Sequence, residues 1–186
     1  MDSRAPSIAA IGIIGRHNNP LHIALFPSTG GAPRSTYSQP RDQLAYTFML
    51  NSCLDIFEAR MPSKQIGHDF GLLHALDERI ALYGWLLNTG VKLIIAVDME
   101  GRLADPTAAK GAVITAGLGL KGSDLTPAFQ ALQAAYVRLL RNPFYNPDDH
   151  DPKIARSRGS LEIRSPRFIK EVERIGKAWY PGVISL

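Results

Sequence analysis

The chain has 186 residues, a length that fits one domain with a proper core. Hydrophobic residues make up 45% and charged residues 20%, which excludes a disordered chain. Lys and Arg number 21 against 17 Asp and Glu, and the excess is local: residues 1–151 hold 13 basic and 14 acidic side chains, residues 152–186 hold 8 and 3. A nucleic-acid binder would concentrate positive charge over its body, and this body is neutral. One cysteine, Cys53, excludes an internal disulfide and a cysteine-based metal site. No apolar run approaches the ~20 residues of a membrane-spanning helix. The short apolar N-terminal run carries no secretory cleavage pattern, so a reducing compartment is expected.

IAAIGIIG (8–15) is a continuous Ile-rich run and reads as a buried strand. RHNNP (16–20) is a turn, and LHIALF (21–26) returns as a second strand, giving a hairpin. Residues 27–41 are rich in Pro, Gly and Ser and read as a surface loop. Asp42 is placed to cap a helix over 42–61, with Leu50, Leu54, Phe57 and Met61 as its apolar stripe and Tyr46, Met49 and Cys53 widening it. Met61-Pro62 ends it, because the residue before a proline is pushed out of the helical region.

FGLLHAL (70–76), RIALYGWLLN (79–88) and VKLIIAVDM (91–99) are three further strands. The joints between them are too short for a crossover helix, so they form an antiparallel meander, with VKLIIAV central and covered on both faces. Residues 100–123 form a long Gly/Ala-rich connection. Asp124 is placed to cap a second helix, 125–141, whose stripe is Phe129, Leu132, Tyr136, Leu139 and Leu140. NPFYNPDDHDP (142–152) is loop, 153–165 is basic and Ser-rich, and 166–180 is a third helix with Phe168, Ile169, Val172, Ile175 and Trp179 inward. The order ββ-α-βββ-α-α makes an antiparallel sheet with helices on its faces, an α+β domain.

Catalytic constellations are missing from this pattern. GLGLKG (117–122) fits the dinucleotide-binding G-x-G-x-x-G spacing, but no strand follows the next helix, so a βαβ unit cannot close. A small dinucleotide-binding enzyme is the remote alternative that rests on it. His17, His22, His68, His74 and His150 show no metal-ligand spacing, and no serine or cysteine sits in a nucleophile elbow. Cys53, on an apolar stripe, reads as a core residue. Asp69, Asp77 and Asp98 sit near strand ends, where turn carboxylates are common. No catalytic residue, cofactor-binding residue or metal ligand is therefore assigned, and the chain reads as non-enzymatic. Asn51 and Asp55 lie four apart on one helix face, which is either solvated or a partner-binding face. The basic residues Arg156, Arg158, Arg164, Arg167 and Lys170 are either solvated or a weak contact with an anionic membrane.

Four segments carry a resemblance: IGIIGRHNNPLHI (11–23), FMLNSCLDIFEAR (48–60), the run 70–99 and LLRNPFYNPDD (139–149), with NPFYNP and YGWLLNTGVKLIIAVD the most specific. The chain resembles the sedlin family of TRAPP (trafficking protein particle) subunits. The resemblance implies a longin-like, or SNARE-like, fold: a five-stranded antiparallel sheet with one helix on one face and two on the other. It implies a single domain over 1–186, with loops lengthened at 27–41, 104–123 and 150–165. It also implies a non-catalytic subunit of a vesicle-tethering complex that promotes Rab nucleotide exchange in ER-to-Golgi and Golgi traffic. The expected partners are other TRAPP subunits and, indirectly, a Rab GTPase and Golgi membranes, from a cytoplasmic, peripherally associated position. No nucleic acid, cofactor or transmembrane segment is expected. The family's acidic residue in the first helix falls here in Ser52-Cys53-Leu54-Asp55, making Asp55, with Asn51, a candidate partner contact. Asn142, Phe144 and Tyr145 are a second candidate, as a docking or buttressing loop. The alternative within the fold class is another longin-domain trafficking protein, a SNARE longin domain or an adaptor small chain. The SNARE form is disfavoured because only about 15 helical residues follow, with no anchor.

Overall fold

The computed structural model describes residues 4–27, 43–61, 68–103, 120–154 and 161–186. Among these residues, five strands and three α-helices follow in the expected order. These are β1 (Arg4–Ile14), β2 (Pro20–Leu25), α1 (Gln43–Arg60), β3 (Asp69–Ala75), β4 (Ile80–Leu86), β5 (Lys92–Leu103), α2 (Thr126–Leu140) and α3 (Pro166–Ala178). The strands form one antiparallel sheet in the order β2-β1-β5-β4-β3. β5 is central with β1 beside it, and both faces of each are covered, which is why IAAIGII and LIIAV read as unbroken apolar runs.

α1 covers one face. Its Leu50, Cys53, Leu54 and Phe57 pack on Ala10 and Ile14 of β1, Phe70 and Leu73 of β3, Ile80 and Leu82 of β4, and Ile94 and Ala96 of β5. Two glycines make the seat. A Cβ at Gly12 would lie 2.9 Å from Leu50, and one at Gly84 would lie 2.6 Å from the tip of Phe57. α2 and α3 cover the other face, burying Phe129, Leu132, Tyr136, Leu139, Phe168, Val172 and Ile175 against Ile11, Ile13, Trp85, Leu93 and Ile95. Trp179, just beyond α3, is fully buried and its indole N–H donates to the Asp124 carbonyl (3.0 Å), tying the end of α3 to the start of α2.

Both sheet edges are managed. On β2, the Leu21 carbonyl accepts from Ile163 N–H (2.8 Å), and the Ile163 side chain is buried. On β3, the Arg60 guanidinium donates to the carbonyls of Leu72 (2.8 Å) and Phe70 (3.3 Å), while Gly71 takes a left-handed φ of 61° that breaks the strand's regularity. Occupied carbonyls and an irregular backbone blunt an edge against pairing with other chains.

Several boundaries differ from the sequence reading. β1 begins at Arg4 and β5 runs to Leu103, because Arg4, Ala5 and Ser7 pair with Leu103, Arg102 and Asp98. The register shifts between Ala5 and Ser7, where Pro6 has no N–H to give to the ladder. Asp124 does not cap α2. Its carboxylate accepts from Lys121 N–H (3.0 Å) and closes a 3-10 turn at Gly122–Leu125, after which α2 starts with Pro127 in its first turn. Ile169 and Leu140 are only half-buried. Asp98 has a partner that spacing did not show: it is buried and accepts two bonds from Arg79, each 2.7 Å. The approach to α3, read as loop followed by a basic, Ser-rich stretch, has packed ends, with Asp151 and Ile163 both buried. Asp42, most of 27–41, and 104–119 lie outside the described residues, as do Gly117 and Gly119 of the GLGLKG motif.

Candidate functional site

The outer face of α1 presents Leu44, Phe48, Asn51 and Asp55, spaced i, i+4, i+7 and i+11, so they form one stripe down the helix. All four are exposed, Leu44 at 74% and Phe48 at 75%. Among the described residues, no hydrogen bond or ion pair engages the side chains of Asn51 or Asp55. The sequence reading found the polar pair and missed the two apolar residues above it. Their signal was there: large apolar residues lying off the inner stripe, on the same side as Asn51 and Asp55. Cys53, on the inner side, is fully buried, and burial pushes its thiol up to about 11, against any role as a thiolate.

The second candidate group divides. Asn142 and Pro143 stop α2, and Tyr145 N–H closes a turn onto the Asn142 carbonyl (3.0 Å). The Asn142 side chain takes part in the same turn by accepting from Phe144 N–H (3.1 Å). Phe144 is thereby held out at 95% exposure. Tyr145 turns inward: its ring stacks on His150 (5.2 Å), and burial raises its phenol above the ordinary range. Of the two neighbouring aromatics, Phe144 faces solvent and Tyr145 packs within the loop.

What joins the loop to the sheet is a polar cluster around the β1–β2 turn. Asn18 takes a left-handed φ of 62°, which asparagine tolerates. Its amide bridges two elements, donating to Glu58 of α1 (2.6 Å) and accepting from Lys92 Nζ of β5 (2.8 Å). Lys92 is 3% exposed, and burial lowers its ammonium below the ordinary range, with Glu58 pulling the other way. Arg16 donates to Asp151 through both Nε (2.9 Å) and Nη2, His17 Nε2 lies 3.3 Å from the same carboxylate, and Asn19 donates to the His150 carbonyl (2.9 Å).

Burial alone would push the Asp151 carboxyl up. The Arg16 hydrogen bond, the Lys153 N–H and the charges of Arg16 and His17 outweigh it and hold the group below its ordinary value. Asp151 therefore adds stability above the ordinary aspartate range, and that stability is lost as pH falls through the lower folded value. The urea midpoint of the native chain is expected to drop as pH falls below the ordinary aspartate range. Asp151→Asn is expected to lower the midpoint at neutral pH and flatten that acid limb. An unchanged acid slope in the variant would remove Asp151 from the cluster's electrostatics.

Among the described residues, no group of three or more His, Cys, Asp or Glu is arranged to hold a metal ion, and no helix is long and apolar enough to cross a membrane. What these surfaces present is an exposed helical stripe on α1 and a projecting aromatic at Phe144.

Residues 13–178 match the family model described as sedlin. The chain belongs to the sedlin family. The match runs from the end of β1 to the last residue of α3, so it takes in the α1 stripe, the polar cluster and the 142–151 loop. The longin-like arrangement of this family is the one observed: five antiparallel strands, one helix on one face and two on the other. Among curated proteins, a trafficking protein particle complex subunit 2-like protein of Dictyostelium discoideum is 27% identical over 171 residues, 90% of this chain and 95% of that protein. Proteins of the same description from Bos taurus and Rattus norvegicus are 22% and 24% identical over 145 residues, 75% of this chain and 84% of theirs.

Proposed function

We propose that this chain is a subunit of a trafficking protein particle complex and acts through surface contacts, with no catalytic step of its own. Coverage carries the reading: relatives described as subunit 2-like proteins of that complex align over 75–90% of this chain and 84–95% of their own length. In this reading the α1 stripe of Leu44, Phe48, Asn51 and Asp55 is the main contact with a neighbouring subunit. Two exposed apolar side chains beside a carboxylate are suited to an interface with an apolar centre and a charged rim. Phe144 and Asn142 form a second contact. The chain works in ER-to-Golgi and Golgi traffic from the cytoplasmic side, reaching the membrane and a Rab GTPase through the assembly, whose nucleotide-exchange site is built by other subunits. The three sequence-specific loops lengthen one domain.

Affinity purification of the tagged chain from its native cells tests this. Co-purification of other subunits of the complex, in near-stoichiometric amounts, is the expected result. Recovery of the chain alone would count against the assembly role.

A further inference from the structure

On the face of the molecule that α1 does not touch, a cavity of about 550 Å³ opens between the C-terminal end of α2 and the N-terminal end of α3. Its two kinds of lining are separated by depth. Ala135 and Leu139 of α2 and Phe168 of α3 are buried and form an apolar floor. Arg138, Arg141 and Arg167 are exposed and stand around it as a rim. The one carboxylate in the lining, Glu171, is already compensated: Arg174 donates to it twice (2.8 and 3.0 Å), and Arg138 lies 3.7 Å away. Those Arg174 bonds hold its carboxyl below the usual range. Among the described residues, Arg141 and Arg167 have no acidic partner. Two guanidinium groups therefore face the recess with uncompensated charge.

We propose that this recess binds an acidic peptide segment of a partner protein, one that places an apolar side chain on the floor and carboxylates against Arg141 and Arg167. Charge complementarity selects the acidic residues, since guanidinium groups pair with carboxylates through charge-assisted, often bidentate bonds. The floor selects the rest. A bare phosphate or a lipid headgroup would satisfy the arginines and leave the apolar floor facing water. A peptide with a large apolar residue between acidic ones satisfies both. Asn142, which also lines the recess, connects it to the Phe144 turn, so a segment leaving the recess passes an exposed aromatic. The site lies apart from the α1 stripe, adjoins the Phe144 turn through Asn142, and gives the chain a partner contact beyond the α1 face. It rests on the assembly reading only for which protein carries the segment.

The test uses the whole chain and a fluorescein-labelled peptide with a Leu-Phe pair flanked on both sides by Glu residues. Saturable binding by fluorescence anisotropy is expected, weakened about tenfold or more by combining Arg141→Gln with Arg167→Gln. Replacing Glu by Gln in the peptide is expected to weaken binding by a comparable factor. Lys121→Gln, which removes one positive charge near the opposite end of α2, is expected to bind as the parent does, and Arg141→Gln alone, with the same charge loss, to bind more weakly. Absence of saturable binding, or equal affinity in the double variant, overturns the proposal. So does binding of phosphatidylserine vesicles, lost in the double variant, without peptide binding, since that outcome makes the recess a lipid site. Thermal midpoints establish that each variant is folded, and Arg141→Gln alone serves if the double variant is not. Because the titration uses the isolated chain, its failure is distinct from a failure to recover other subunits.

Discussion

Phe57→Ala is expected to remove about 3–5 kcal/mol of folding stability, the largest loss from any single truncation on the α1 face. Phe57 is fully buried, its ring centroid 4.7 Å from that of Phe70, and its tip occupies the space that Gly84 leaves vacant in β4. Truncation removes the helix's largest anchor. Because a glycine lies beneath it, no β4 side chain is there to fill the hole. Domains of this size are stable by about 5–15 kcal/mol, so roughly a fifth or more of the total is at stake. The thermal midpoint should fall by about 6–20 °C. Leu44→Ala, in the first turn of the same helix but exposed, is expected to cost less than about 0.5 kcal/mol. Urea denaturation of the three proteins decides it: a loss below about 1 kcal/mol for Phe57→Ala would mean that α1 is not seated as described.

Phe48→Asp is expected to leave stability nearly unchanged and to weaken capture of the neighbouring subunit by about 30-fold or more, the scale of an aromatic interface anchor. Phe48 makes no contribution to the core, so its replacement separates binding from folding in a way that no inner residue of α1 can. Asp55→Arg, two turns further along the stripe, is expected to act in the same direction and less strongly, as a rim charge does. Quantitative purification of the tagged variants, with circular dichroism melts alongside, measures both. Full retention of partners by Phe48→Asp would move the interface away from α1.

The layout of strands and helices was legible because it depends on local signals. The three runs over 70–99 are joined by segments too short for anything but hairpins, and Leu50, Leu54 and Phe57 repeat at helical spacing. The ends of β1 and β5 were not legible. Arg4–Ser7 and Glu100–Arg102 are polar or small, and their pairing is set by a partner about 95 residues away. The polar cluster was hidden for the same reason. Arg16 reads as a turn residue and Asp151 as a loop residue, and only the fold brings them together across 135 positions. The α1 stripe was half legible. Asn51 and Asp55 stand out as polar residues among apolar ones, whereas Leu44 and Phe48 fall outside the apolar stripe and nothing local marks them as exposed. Within NPFYNP the sequence shows two aromatics side by side. Only the turn at Asn142 decides that Phe144 points out and Tyr145 points in.

On the proposed function, this sedlin-family chain buries the outer face of α1 against a neighbouring subunit. Hydroxyl-radical footprinting reads this directly, because Phe48 is 75% exposed in the isolated chain and its ring is oxidisable. In the purified assembly, Phe48 oxidation should fall several-fold relative to the free chain, while solvent-facing Ile184, at 92% exposure, changes little. Phe48 reacting as fast in the assembly as it does alone would contradict the claim.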